Sequence, residues 1–159
     1  MTTIQGQIPA LSGNERIWVF QSNLPHFSIA KTVEGMEVGD VAAWYVQDHL
    51  DELRGGDLVL LWEEGADAGL YALGTLVGEP YEGDPVTAGG PNATWMRWRL
   101  DASLTPPLSK EEMQAPDVVK GLQHFDRRDA TNIPVDRTHW AALKDLLQME
   151  PTVDGAIEA

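Results

Sequence analysis

The stretch LRGGDLVLLWEEGADAGLYALGTLV, residues 53–77, decides how this chain folds. Two apolar runs flank a short acidic loop, and the first run ends in Trp62. An ordinary half-exposed hairpin alternates apolar with polar residues. Here Leu58, Leu60 and Trp62 fall on one face of a strand while Val59 and Leu61 fall on the other. Both faces therefore need a cover. Trp62 reads either as core or as the wall of a pocket.

Working outward, IWVFQ (17–21) and VAAWYV (41–46) are aromatic and β-branched runs, so strands. Between them, Ser28 can cap a short helix through about Val33, with Gly35 as its stop. The hairpin itself spans 57–63 and 69–77, joined by a turn containing Gly65 and Gly69. Residues 80–92 read as a surface loop. TWMRWRLDA then alternates cleanly: Met96, Trp98 and Leu100 point one way, Trp95, Arg97, Arg99 and Asp101 the other. Ser109 with Glu112 forms a capping box for a short helix. Residues 123–135 are irregular with extended pieces. Asp136 caps a last helix through about Met149, with Trp140, Leu143, Leu146 and Leu147 on one side.

The pattern predicts one α+β domain over 15–149, preceded by a flexible arm (1–14) and followed by a disordered acidic tail (150–159). No βαβα rhythm runs through it, which argues against a doubly wound parallel sheet. A strongly curved, barrel-like mixed sheet of about five strands fits, with short flanking helices and a C-terminal helix. One face of the hairpin then looks into the barrel, and the other lies under the Trp140 face of the last helix.

At 159 residues with a 43% hydrophobic fraction and six tryptophans, the chain can bury one sizeable core. No apolar run is long enough to cross a bilayer, and the opening residues lack a charged, greasy signal, so the cytoplasm is the expected location. Cysteine is absent, which excludes disulfides, thiolate metal sites and cysteine nucleophiles. The formal net charge is −14. Glu150, Asp154 and Glu158 are three of the 25 acidic residues, so the acidity belongs to the body of the protein. Solubility explains it adequately. Global acidity slows approach to nucleic acid but leaves room for a local basic rim.

Enzyme signatures are missing: no GxSxG elbow, no HExxH, no phosphate-binding loop, no GxGxxG. The four histidines are scattered, and the pairs Glu63–Glu64 and Glu111–Glu112 are adjacent in sequence, so they do not face one another. A metal site from His49, Asp51 and Asp126 can be drawn, but no spacing favours it. No metal or organic cofactor is expected. What stands out is aromatic and amide content near strand ends. Trp18, Trp44, Tyr45, Trp62, Tyr71 and Trp98 lie in or beside strands, with Gln21, Gln47, Thr131 and Asn132 as hydrogen-bonding edges. Flat rings flanking a slot with amides at its base suit a flipped-out nucleobase. Aromatics also fill small cores, and composition alone favours that reading.

The ordered series IWVFQSNLPHFSI, W-Y-V-Q-x-H and LRGGDLVLLWEEGADAGLYALGTLVGEP resembles the EVE domain of the PUA-like superfamily, related to YTH and ASCH domains. Trp18, Phe20 and Pro25 match its first strand, and Trp44 and Val46 its W-x-V segment. Gly56, Asp57, Val59, Trp62, Gly69, Leu70, Tyr71 and Gly74 match its central hairpin. PLSKEE and ATNIPVDRTHWAAL resemble its C-terminal third, so the likeness runs from about Arg16 to Leu147. Two positions depart from the pattern: Ala130 replaces a glycine, and Ile133 replaces an aromatic residue.

The resemblance implies a PUA-like pseudobarrel of five or six strands that binds nucleic acid and has no catalytic apparatus. The expected ligand is DNA with a modified base, cytosine derivatives especially, with RNA as an alternative. Trp18, Trp44, Trp62 and Tyr71 would form the base pocket, Trp62 and Trp44 lining one cavity. Gln21, Gln47, Thr131 or Asn132 would read the base edge. Arg97 and Arg99 share a strand face and would contact phosphates, with Arg127 and Arg128 as a second basic patch. The resemblance also admits an operon-encoded partner protein, such as a nuclease. The rival from another class is an acidic protein-interaction or nucleic-acid-mimicking module. An enzyme acting on a small nucleoside is the weakest reading, since no nucleophile or metal cluster is visible.

Overall fold

The computed structural model describes residues 3–9, 13–22, 29–46, 50–63, 69–82, 94–109, 132–135, 137–148 and 152–153. Among the described residues, eight strands and two helices run in the order β1 (Thr3–Gly6), β2 (Ile17–Ser22), α1 (Ile29–Glu34), β3 (Val41–Val46), β4 (Leu58–Glu63), β5 (Gly69–Glu82), β6 (Thr94–Ser109), β7 (Asn132–Val135), α2 (Arg137–Gln148) and β8 (Thr152–Val153). The strands form one mixed sheet in the order β7-β2-β4-β5-β6-β1-β8, with β3 also paired to β6. β4 runs antiparallel to β5 and parallel to β2.

The hairpin is covered on both faces. Leu58, Leu60 and Trp62 pack with Ile17, Val19, Leu70, Leu73 and Ile4 beneath Trp140, Leu143 and Leu147 of α2. Val59 and Leu61 pack on the opposite face with Trp18, Phe20, Trp44, Trp98 and Leu76, beneath Ile29 of α1. α2 thus takes the role its apolar spacing predicts.

The sheet coils strongly at β6. One side of that strand supplies Met96, Trp98 and Leu100 to the α1 cluster, then Ala102, Leu104 and Leu108 to the α2 cluster. A flat strand cannot feed both. The switch falls where the β5–β6 register shifts between Leu73 and Gly74. A Cβ at Gly74 would lie 2.4 Å from the Arg99 carbonyl oxygen and 2.9 Å from Trp98 Cε3, so only glycine lets the strands meet there. The outer edge of β6 is shared in tandem by β3 (along 94–99) and β1 (along 102–105).

The expected class holds; the described residues carry eight strands, where five or six were expected. The stretch read as a loose arm contains β1, whose Ile4 is fully buried. The stretch read as a disordered tail contains β8, which pairs parallel with β1 at Ile4↔Thr152 and Gln5↔Val153. Each holds a short apolar or β-branched run that an open strand edge can recruit.

The parallel β2–β4 pairing is pinned at its start by Asp57, the only charged residue buried among those described. Its carboxylate accepts from Trp18 Nε1 (3.0 Å), Arg16 N (3.0 Å) and Arg54 N (3.3 Å). The adjacent backbone closes the junction, with Leu58 N donating to Arg16 O and Leu76 N to Asp57 O. Asp57→Ala leaves three donors short of an acceptor, and urea unfolding should show a loss of about 3 kcal/mol. Asp57→Asn, with one acceptor oxygen in place of two, should retain part of that stability. Gly74→Ala should cost about 1–3 kcal/mol by overpacking.

Candidate nucleic-acid interface

The rings expected to share one pocket are divided by the sheet. Trp62 is fully buried in the α2 cluster, whereas Trp18 and Trp44 are buried in the α1 cluster on the opposite face. Alternation correctly grouped Trp62 with Leu58 and Leu60. The expectation that Trp62 and Trp44 line one cavity is corrected, because the end of β4 lies under α2 instead of opening at a mouth. Trp18 is likewise a core ring, its indole nitrogen held by Asp57.

The strand registers also separate the candidates along the sheet. Gln21 pairs with Trp62, Asn132 with Phe20, and Tyr71 is the extra residue of a bulge beside Trp62. That bulge presents Tyr71 and Ala72 successively to the α1 cluster. These residues sit at one end of β4. Trp44 pairs with Met96, and Arg97 with Val77, toward the other end, where Leu58 faces Thr75. Gln47, Thr131, Arg127 and Arg128, like the helix start after Ser109 and the departure at Ala130, lie outside the described residues. For Gln21 and Asn132 the description covers the backbone.

At the Trp44 end the surface opens into a cleft of about 690 Å³ lined by Leu50, Asp51, Leu53, Arg54, Gly55, Gly78, Glu79 and Pro80. That is the size range of small-ligand pockets. Leu53, one of its lining residues, packs into the same apolar cluster as Trp44 and Val46. One wall is a bulge in β5: Gly78, Glu79 and Pro80 stand opposite Met96 alone, between the pairs Val77↔Arg97 and Tyr81↔Trp95. Gly55 lets the facing turn approach this wall, since a Cβ there would sit 2.9 Å from Gly78 N. No motif signals this cleft, because its walls come from two segments far apart in the chain.

The two arginines on the outer face of β6 differ. Arg99 Nε donates to Asp101 Oδ1 at 2.9 Å, and Asp101 also accepts from Thr75 Oγ1. Arg97 is exposed and its guanidinium carbon lies 4.3 Å from the centre of the Tyr81 ring. Among the described residues, no group of three or more histidine, cysteine or carboxylate side chains could hold a metal ion, and no helix is long and apolar enough to cross a membrane.

Residues 16–146 match the model of the EVE domain. The chain belongs to the EVE domain family. The EVE chain shares its fold with several solved structures. A hypothetical protein from Leishmania major is 19% identical, with a TM-score of 0.63 over 87% of this chain and 99% of its own. Human THYN1 protein, solved in complex with DNA containing 5-methylcytosine, is 14% identical, with a TM-score of 0.62 over 86% and 100%. The YTH domain of Zygosaccharomyces rouxii MRB1 protein, solved with N6-methyladenosine RNA, is 12% identical, with a TM-score of 0.55 over 90% and 94%. No curated protein sequence matches the chain. The family accounts for the Gly56–Asp57 motif, whose physical content here is the Asp57 junction.

Trp62→Ala and Trp140→Ala should each cost about 3–5 kcal/mol. In double-mutant cycles this pair should couple, because both rings fill one cluster. Trp62 and Trp44, on opposite faces, should be additive within about 0.5 kcal/mol.

Proposed function

We propose that this EVE domain binds nucleic acid without transforming it and holds one modified base, with modified cytosine in DNA the favoured ligand. The observation that carries this reading is that two proteins of the same fold were solved with methylated bases, one in DNA and one in RNA. The second makes a modified adenine in RNA the alternative ligand. A partner protein that acts on the bound nucleic acid, such as a nuclease, is compatible with a module of this kind.

Trp44 is the ring we assign to the base. It pairs with Met96, the residue opposite the Gly78–Pro80 wall of the cleft, so ring and cleft belong to one end of the sheet. Gln47, three residues further along the chain, is the amide assigned to the base edge. Gln21, Asn132 and Tyr71 remain candidates for contacts from the other end of the hairpin, Thr131 remains a candidate from the sequence, and Trp18 acts through the scaffold. Trp62 is withdrawn from the pocket. Stacking on one ring contributes roughly 1–3 kcal/mol. That is too little to extrude a base and also confer affinity, so phosphate contacts are required. Arg97 and Arg99 are the candidates on β6, with Arg127 and Arg128 as a further basic pair.

The test is a binding panel of short DNA and RNA oligonucleotides, each with and without a methylated cytosine or adenine. The expected result is a lower Kd for the methylated-cytosine DNA than for its plain counterpart. Trp44→Leu should remove that preference while the protein stays folded. Absence of oligonucleotide binding at every salt concentration would instead support an acidic mimic of nucleic acid.

A further inference from the structure

Acidic side chains outnumber basic ones in this chain by 25 to 11, so an arginine on its surface readily finds a carboxylate. Three of the described arginines do so: Arg16 with Glu52 (3.3 Å), Arg99 with Asp101 (2.9 Å) and Arg137 with Glu15 (3.9 Å). Among the described residues, Arg54 and Arg97 have no carboxylate partner. Both are exposed.

These two arginines adjoin the same feature. Arg54 lines the cleft whose wall is the bulge Gly78–Glu79–Pro80. Arg97 stands at the feet of that bulge, paired in register with Val77 before it and stacked on Tyr81 after it. Two cations kept clear of carboxylates on an acidic protein, both beside one ridge and one cleft, suit an anionic chain. A guanidinium resting on an aromatic ring is held in place while its N–H edge stays available to phosphate oxygens. Inside the cleft the charge reverses, because Asp51 and Glu79 are among its lining residues. Carboxylates repel phosphate but accept from the exocyclic amine of cytosine. The cleft therefore suits a base, and its rim suits the backbone.

We propose that a nucleic acid strand crosses the Gly78–Pro80 bulge, with Arg54 and Arg97 contacting its phosphates and the intervening base entering the cleft. This rests on the nucleic-acid reading above and adds to it a path and a contact, Arg54. It also ranks the arginines of β6. Arg97 carries a phosphate, whereas Arg99 is already engaged by Asp101.

The experiment measures the affinity of a single-stranded DNA oligonucleotide carrying one central 5-methylcytosine, and of its unmodified counterpart, across a salt series. The proteins are the wild type, Arg54→Gln, Arg97→Gln and Lys144→Gln. Lys144 lies on α2, which covers the opposite face, and its substitution changes the net charge by the same unit. The slope of log affinity against log salt should fall in magnitude by about 0.7 for each arginine variant, the single-strand value for one phosphate contact. The Lys144→Gln slope should match the wild type. Preference for the methylated strand should persist in both arginine variants, and melting temperatures should coincide. Wild-type binding with an unchanged Arg54→Gln slope overturns the proposed path and leaves the function standing. Failure of the wild type to bind either strand overturns the DNA reading and the proposed path with it.

Discussion

The Asp57 carboxylate is the fixed point of the molecule. Parallel strands cannot be joined by a tight turn, so β2 and β4 come together only after the chain has passed through α1 and β3. Such a pairing needs something to set its start. Asp57 does this by accepting from the backbone of Arg16 and from the indole of Trp18, both on the β2 side. The same carboxylate also holds the Arg54 backbone, which fixes the turn that lines the cleft. Scaffold and candidate interface thus share one anchor. A buried charge is tolerated here because three donors converge on it.

From that junction the rest follows by geometry. A hairpin that is apolar on both faces must lie between two covers, and the chain supplies a helix for each. The long strand β6 must then serve both sides, which requires it to coil, and Gly74 gives the coil room. Aromatic rings accordingly divide between two clusters instead of gathering in one slot. The cleft lies where the sheet's regularity lapses, at the bulge after Val77. Bulges commonly occupy such places, since they end pairing and redirect side chains.

Much of this was legible in the sequence, for definite reasons. The strand at VAAWYV coincides with β3, and the helix written by Trp140, Leu143 and Leu147 is α2, because dense apolar periodicity leaves few alternatives. β1 and β8 escaped notice because four and two residues carry too little pattern; tertiary pairing makes them strands. β6 runs on beyond the TWMRWRLDA alternation, through Pro106 and Pro107 to Ser109, although proline has no N–H to give a ladder. For the site, alternation showed that Trp62 and Leu60 share a face but could not reveal which cover that face receives. The cleft was illegible altogether, because residues 50–55 and 78–80 meet only through the Asp57 junction and the contact between Gly55 and Gly78.

The double burial of β4 also sets a gradient of local opening. Five of its six residues are buried, and strands hydrogen-bond to it on both edges, so its amides exchange with solvent only when the whole domain unfolds. The bulge is exposed at Gly78 and Glu79 and interrupts the β5–β6 pairing, whereas the turn facing it is tied down by Leu53 in the apolar cluster and by the Arg54–Asp57 bond. Of the two walls, the bulge is the one that can shift while the sheet stays intact. Movement at the bulge leaves the Asp57 anchor undisturbed, since the interrupted pairing lies between β5 and β6 and the anchor lies between β2 and β4.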